Sequence, residues 1–182
     1  METVEFLVLK NLLHNEEYVR KVIPFIKGDY FEDRNQKIVF EEIINFVQEY
    51  NQPVTKEVLC IEAEKRQDIT DESFKEITQL IGSLEENDTE FEWLVNTTEK
   101  WCRDRAIYLA LMESIHIADG KDEKKNRDSI PTILSDALGV SFDTNVGHDY
   151  LNDYEERYES YHRKEDKIPF DLEYFDKITK GG

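Results

Sequence analysis

Residues that could bind a metal ion or act as a nucleophile are few and widely separated. The sequence contains two cysteines, Cys60 and Cys102, and four histidines. No histidine lies at a metal-ligand spacing from a cysteine, an acidic residue or another histidine, and neither cysteine occurs in a nucleophile motif. We therefore predict no metal site, no catalytic residue and two reduced, buried thiols. The histidines are His14, His116, His148 and His162.

The sequence also lacks the usual motifs for nucleotide binding and nucleophilic catalysis, and it offers no good pair of residues for acid–base catalysis. The chain has no G-x-x-x-x-G-K-[ST] loop, no G-x-G-x-x-G turn and no G-x-S-x-G elbow. Acidic neighbours such as Asp122 with Glu123, or Glu155 with Glu156, point in different directions on a helix and make poor acid–base pairs. The residue chemistry therefore predicts a protein-interaction module, and it identifies no partner.

The charge balance argues against nucleic-acid binding. The chain has 41 acidic and 23 basic residues and a formal net charge of −18, whereas affinity for nucleic acids depends largely on Lys and Arg. Trp93 and Trp101 could stack on bases, but the flanking Glu90, Glu92 and Glu99 favour packing in a core or an interface. An acidic surface favours basic protein partners, and we expect contact with DNA only weakly or indirectly.

The composition predicts an all-α protein. Charged residues make up 35% of the chain, which has only seven Gly and four Pro; this suits long helices with solvated faces, whereas a β-sandwich would need more turn residues. The apolar fraction of 39% allows a modest core. No apolar run approaches a membrane span, and the acidic start lacks the features of a signal peptide. We expect a cytoplasmic protein without a membrane partner.

Residues 1–87 are predicted to form a compact helical bundle. Apolar residues recur at helical spacing, and capping residues such as Thr55, or Asp33 with Gln36, mark helix starts. Pro24 ends the second helix because proline disfavours helical geometry in the residue before it. The predicted helices span residues 4–13, 16–25, 33–50, 56–66 and 71–84.

Residues 88–140 are predicted to form a long helical hairpin. After a capping box at residues 89–92, apolar residues continue to Asp119 at spacings of three and four, as in a heptad-like seam. A shorter helix capped by Ser129 would cover part of this seam, and another chain would cover the rest. The alternative is that the seam folds back on residues 1–87. The predicted subunit-interface residues are Trp101, Arg105, Tyr108, Met112, Ile133 and Leu134.

Residues 141–182 are predicted to form a linker with a docking helix. After an extended stretch, Asp149 would cap a charged helix over residues 150–164 that carries tyrosines on one face. A tethered amphipathic helix must bury such a stripe, either on its own domain or in a groove of a neighbour. The predicted docking residues are Tyr150, Leu151, Tyr154, Tyr158 and Tyr161.

Several short segments resemble the replicative DNA helicases of T4-like phages, which are DnaB-like helicases. Residues 99–106 are similar to the hairpin helix of that family, and residues 141–143 and 146–150 resemble its linker. A looser similarity surrounds residues 30–32. The resemblance covers nearly the whole chain and is most specific in residues 141–182, where it also includes residues 153–155, 169–170 and 177–182.

The resemblance implies an assembly and recruitment module rather than a complete enzyme. In that family a RecA-like ATPase domain follows the Lys-Gly-Gly sequence, so ATP or GTP and Mg²⁺ would bind beyond Gly182 and these residues would hold no cofactor. N-terminal domains pair through their hairpins and form a collar on a hexameric ring, and the linker helix docks on the adjacent subunit. The implied partners are other copies of the chain, DNA primase and the helicase loader.

The residues alone leave two other functions open. A net charge of −18 permits a free-standing acidic inhibitor or DNA mimic that occupies the groove of a nucleic-acid-binding protein. An enzyme acting alone would need a catalytic constellation that the sequence does not display. A reading frame that continues past Gly182 into a phosphate-binding loop would exclude the free-standing inhibitor.

Overall fold

The computed structural model describes residues 3–86, 88–121 and 125–142, together with Tyr158 and His162. These residues contain seven α-helices and two 3-10 helices, and no strand occurs among them. The predicted all-α fold is confirmed. The chain divides into two compact units, Met1–Phe142 and Asp143–Gly182. The predicted division into three parts at residues 87 and 140 stays a prediction.

The helices of the first unit lie close to their predicted positions, with two differences. The second helix ends at Val22, earlier than predicted, because Pro24 has no amide hydrogen to continue it. The long helix is capped by Glu90, not by the predicted box that starts at residue 89: the Glu90 carboxylate accepts from the amides of Glu92 and Trp93 at 2.9 and 2.6 Å. The helices are α1 Val4–His14, α2 Glu16–Val22, α3 Arg34–Tyr50, α4 Lys56–Lys65, α5 Asp71–Ser83, α6 Phe91–Ala118 and α7 Ile130–Leu138, with 3-10 helices at Gly28–Tyr30 and Arg127–Ser129.

Side-chain caps explain where the helices begin. At the start of α3, Asp33 accepts a hydrogen bond from the Gln36 amide at 2.9 Å, as predicted. This arrangement satisfies an amide that has no partner inside the helix. At its other end α3 stops at Asn51, whose φ of 50° is left-handed, a conformation that asparagine tolerates. The same type of N-cap is formed by Thr3, Asn15, Thr55 and Thr70.

One hydrophobic core joins α1–α5 to α6 and extends to Ala137 of α7. It draws on apolar residues that recur at helical spacing, so that each helix buries one face. The His14 ring adds a polar link, because its Nε2 lies 2.9 Å from the Leu84 carbonyl at the end of α5. The largest fully buried aliphatic side chains are Leu9, Leu12, Ile43, Leu59, Ile77, Ile81, Leu84 and Leu94.

A buried chain of hydrogen bonds ties α2 to α6. The Tyr18 hydroxyl lies 2.6 Å from Oγ1 of Thr98, and both side chains are fully buried. Thr98 Oγ1 donates its only proton to the Leu94 carbonyl at 2.8 Å, so Tyr18 is the donor to Thr98. Burial raises the pKa of Tyr18 well above its usual value, which keeps this hydroxyl protonated.

The two halves of α6 have different partners. The first half packs on α1, α2 and the turn Gly28–Tyr30, where the Trp101 ring stands edge-on to Phe31 with centroids 5.1 Å apart. The second half pairs with α7. Arg127 donates to the Ala118 carbonyl at 2.9 Å and Arg103 donates to the Val140 carbonyl at 3.0 Å, so α7 runs back along α6. The first half of α6 thus folds back on the bundle, and the second half forms a hairpin with α7.

Three of the four residues that α6 buries in its second half have small side chains. Successive helical residues are rotated by about 100°, so Tyr108 and Met112 each point about 200° away from Ala110. The second half of the predicted seam therefore lies on the side of α6 opposite its buried face. The residues buried here are Ala106, Ala110, Ser114 and Ile117 of α6, together with Ala137 of α7.

The Tyr18–Thr98 hydrogen bond can be tested by double substitution. Thr98→Val leaves the buried Tyr18 hydroxyl without an acceptor and should lower the free energy of unfolding by about 1–3 kcal/mol. Adding Tyr18→Phe removes the unpaired hydroxyl, so the double variant should recover part of that loss. Urea unfolding followed by circular dichroism measures both effects. Equal stability of wild type and Thr98→Val would contradict the assigned hydrogen bond.

Candidate protein-interaction surfaces

An apolar stripe faces solvent along the second half of α6. We call it the outer face of α6, and its residues are 41–54% exposed. They follow the i, i+3, i+4, i+7 pattern, which places them side by side on one helix face. A contiguous apolar patch of this kind marks an interaction surface more often than scattered apolar residues do. The outer face of α6 consists of Tyr108, Leu111, Met112 and Ile115.

Two of the predicted interface residues are engaged within the chain. Trp101 is half-buried and packs against Tyr30 and Phe31. Arg105 donates from Nε to the Tyr30 carbonyl at 2.7 Å and from Nη1 to the Glu32 carboxylate, and its side chain is only 15% exposed. Both residues therefore attach α6 to the turn Gly28–Tyr30.

Arg105 also touches the outer face of α6. Its guanidinium carbon lies 5.1 Å from the centroid of the Tyr108 ring, within the range of a cation–π interaction. One side chain thus joins the turn Gly28–Tyr30, the Glu32 carboxylate and the first residue of the outer face. This link restricts the orientation of the Tyr108 ring relative to the bundle.

The other predicted interface residues are divided between two surfaces. Tyr108 and Met112 lie together on the outer face, whereas Ile133 and Leu134 are half-buried on α7 and pack against the core. Ile133 also lines a cleft of about 380 Å³ between α6, α7 and the turn Gly28–Tyr30. Leu111 was not among the predicted interface residues because the seam passed from Tyr108 directly to Met112. The i, i+3, i+4, i+7 pattern identifies it.

Two residues of the predicted docking helix are described. The rings of Tyr158 and His162 stack with centroids 4.1 Å apart, and Nδ1 of His162 lies 2.7 Å from the Tyr158 carbonyl. Tyr158 is 65% exposed, so its ring is available for packing. The predicted docking residues Tyr150, Leu151, Tyr154 and Tyr161 lie outside the described residues.

Neither cysteine has the surroundings of a reactive thiol. Cys102 is fully buried, and burial raises its pKa to about 12. Cys60 is half-buried, and its pKa is also raised, mainly by burial and to a smaller extent by the nearby Glu57 carboxylate. Across the described ranges, histidine, cysteine, aspartate and glutamate form no group of three that could hold a metal ion.

The fold and these surfaces define an all-α module with an apolar stripe exposed on its longest helix. In the parts of the chain that the structure covers, no helix combines the length and apolar character needed to cross a membrane. No family model matches the chain. The chain is similar to the DnaB-like replicative helicase of Enterobacteria phage T4, with 35% identity over 97% of its residues, and it spans 38% of that protein's length. The resemblance inferred from the sequence is confirmed.

The surroundings of the two thiols predict their reactivity. The thiolate is the reactive form, so raised pKa values should slow modification of both cysteines by DTNB. In the folded protein we expect Cys60 to react more slowly than a free thiol and Cys102 to stay protected. Unfolding in guanidinium chloride should expose both. Absorbance at neutral pH, before and after unfolding, counts the reacting thiols. Two fast thiols in the folded protein would contradict the burial of Cys102.

Proposed function

We propose that this chain is the collar and linker module of a hexameric, DnaB-like replicative DNA helicase. It would mediate subunit association and dock DNA primase and the helicase loader during DNA replication. Similarity to a phage replicative helicase over 97% of the chain supports this role. In this proposal ATP or GTP and Mg²⁺ bind to an ATPase domain outside these residues, where the helicase activity resides.

The outer face of α6 is the observation that best supports subunit association. Four large apolar side chains project from one face of a helix whose opposite face is already buried. Fully burying one such side chain contributes about 1.5–3 kcal/mol, so a second copy that covered this face would gain several such contributions. We propose Tyr108, Leu111, Met112 and Ile115 as the contact residues. Trp101 and Arg105 would support them from within the chain.

The charge of the chain fits a collar around single-stranded DNA. A net charge of −18 disfavours retention of phosphates, so a strand passing through the collar would move without being trapped. The same charge favours basic partners and speeds their encounter with the collar. A free-standing acidic inhibitor or DNA mimic has the net charge in its favour, but the similarity to a helicase supports the collar.

The docking helix would connect this module to the motor of an adjacent subunit. Tyr158 is 65% exposed, so its ring is available to pack against a neighbour. An amphipathic helix that lays such rings in a groove is a common mode of recognition. We propose the tyrosine face, with Leu151 beside it, as the docking surface.

Subunit association can be tested with a matched pair of charge substitutions. Ile115 and Ile61 are 54% and 53% exposed, and only Ile115 lies on the outer face of α6. Ile115→Asp should weaken self-association about tenfold or more, because it places a charge in an apolar contact. Ile61→Asp adds the same charge on α4 and should have little effect. Sedimentation equilibrium of the chain, and of a longer helicase that contains it, measures association. Equal loss in both variants would exclude the outer face as the specific contact.

The linker proposal predicts that assembly and stability respond differently to the same change. Tyr158→Ala should weaken ring assembly in the longer helicase, because an aromatic side chain buried at an interface contributes about 1.5–3 kcal/mol. The melting temperature of the present chain should stay nearly unchanged, because Tyr158 is largely exposed in it. Calorimetry of the chain and light scattering of the helicase give the two readings. A large fall in the melting temperature of the chain would contradict the docking role.

A further inference from the structure

A second surface lies on the bundle, away from the outer face of α6. The end of α3 and the facing side of α4 enclose a groove of about 260 Å³, which we call the α3–α4 groove. None of its lining residues belongs to α6 or α7. The residues that determine its character are Phe46, Tyr50, Glu42, Glu49, Glu62 and Lys65.

Two aromatic rings form one wall of the α3–α4 groove. The centroids of Phe46 and Tyr50 lie 4.6 Å apart with the ring planes tilted by 36°. Tyr50 is 57% exposed, although burying a ring of this size would favour folding. The faces of aromatic rings carry partial negative charge and attract cations such as the guanidinium of arginine. The wall is therefore suited to a cation with an apolar stem.

The charged residues of the groove leave an excess of negative charge. Among the described residues, Lys65 is the one cation that lines it, and its Nζ lies 2.6 Å from a carboxylate oxygen of Glu62. Arg66 compensates Glu42 from outside the groove at 2.8 Å. Glu49 forms no ion pair with any residue that the structure describes, and its carboxylate is near enough to the Tyr50 hydroxyl to raise the pKa of Tyr50. Lys65 also interacts electrostatically with Glu49, but with three carboxylates and one cation in its lining the groove keeps an excess of negative charge.

The end of α3 adds a further negative contribution. A helix carries a partial negative charge at its C-terminus, which a basic residue in the last turn usually offsets. The last turn of α3 contains no basic residue, which is also true of α5 and α7, whereas those of α1, α2, α4 and α6 do contain one or more. Tyr50 and Glu49 lie in that last turn. The ring and the carboxylate proposed to hold the cation thus both come from the turn at the negative end of the helix.

We propose that the α3–α4 groove binds a basic segment of a partner protein, with an arginine or lysine lying on the rings of Tyr50 and Phe46 and pairing with Glu49. Nucleic acid is disfavoured because its phosphates would meet carboxylates. A second copy that placed its own α3–α4 groove here is disfavoured because two acidic grooves repel each other. The proposal is independent of the outer face of α6.

A labelled basic peptide tests the site without knowledge of the natural partner. The probe is a short, fluorescein-labelled peptide of alternating arginine and alanine, and a matched peptide with glutamate in place of arginine is the negative control. Binding is measured by fluorescence anisotropy. Tyr50→Ala should weaken binding of the arginine peptide about two- to fivefold, the range expected for one exposed cation–π contact. Tyr50→Phe keeps the ring and should bind nearly as wild type does.

Matched controls separate the groove from general attraction to an acidic protein. Ile61→Ala removes an equally exposed side chain from α4 and should leave binding unchanged. Glu49→Gln should weaken binding more than Glu64→Gln does, although both remove one negative charge from the same protein. Ile115→Asp should not weaken peptide binding. Failure of the proposed subunit association through the outer face of α6 and failure of the present proposal are therefore distinguishable.

Two results would overturn the proposal. Equal binding by Tyr50→Ala and Ile61→Ala, together with equal effects of the two glutamate changes, would mean that the peptide follows net charge alone. Sedimentation showing that Tyr50→Ala weakens self-association would mean that a second copy covers the groove. Circular dichroism of each variant confirms that the exposed substitutions leave the fold intact.

Discussion

The burial of one half of α6 against the bundle is the constraint on which the rest of the structure depends. A helix of 28 residues is about 42 Å long, which is more than a bundle of five short helices covers. Its first half is buried at Leu94 and Thr98, and Thr98 is hydrogen-bonded to Tyr18 of α2. The second half projects beyond this contact and needs α7 as a partner. Because α7 covers one side only, the outer face of α6 is left in solvent.

The two surfaces of the module differ in the chemistry they offer. The outer face of α6 is apolar and suits a partner that contributes apolar area, for which another copy of the chain is the simplest source. The α3–α4 groove combines aromatic rings with carboxylates and suits a basic segment. Since they lie on different helices, both surfaces can be occupied at once. In the proposed collar, the outer face of α6 would serve assembly and the α3–α4 groove would serve recruitment.

Periodicity predicted the existence of α6 correctly, but it did not identify the face of its second half that packs within the chain. A heptad-like pattern follows the large apolar residues, which include Tyr108 and Met112. The buried face instead carries Ala106, Ala110 and Ser114. Their small side chains leave room for another helix to lie close, and a pattern based on large apolar residues gives them little weight. Arg105, predicted as an interface residue, bonds the turn Gly28–Tyr30 of its own chain, and its place in a subunit interface stays a prediction.

Local interactions explain what the sequence by itself determined about this protein. Caps such as Asp33 and Thr55, the break at Pro24 and the spacing of apolar residues act within a few positions along the chain, so the helices and the all-α class could be predicted. Only the tertiary structure decided which side of α6 is buried, that Trp101 and Arg105 serve the chain's own bundle, and that α3 and α4 enclose an acidic aromatic groove. Those features depend on contacts between residues far apart in sequence, and the volume and shape of facing side chains select them.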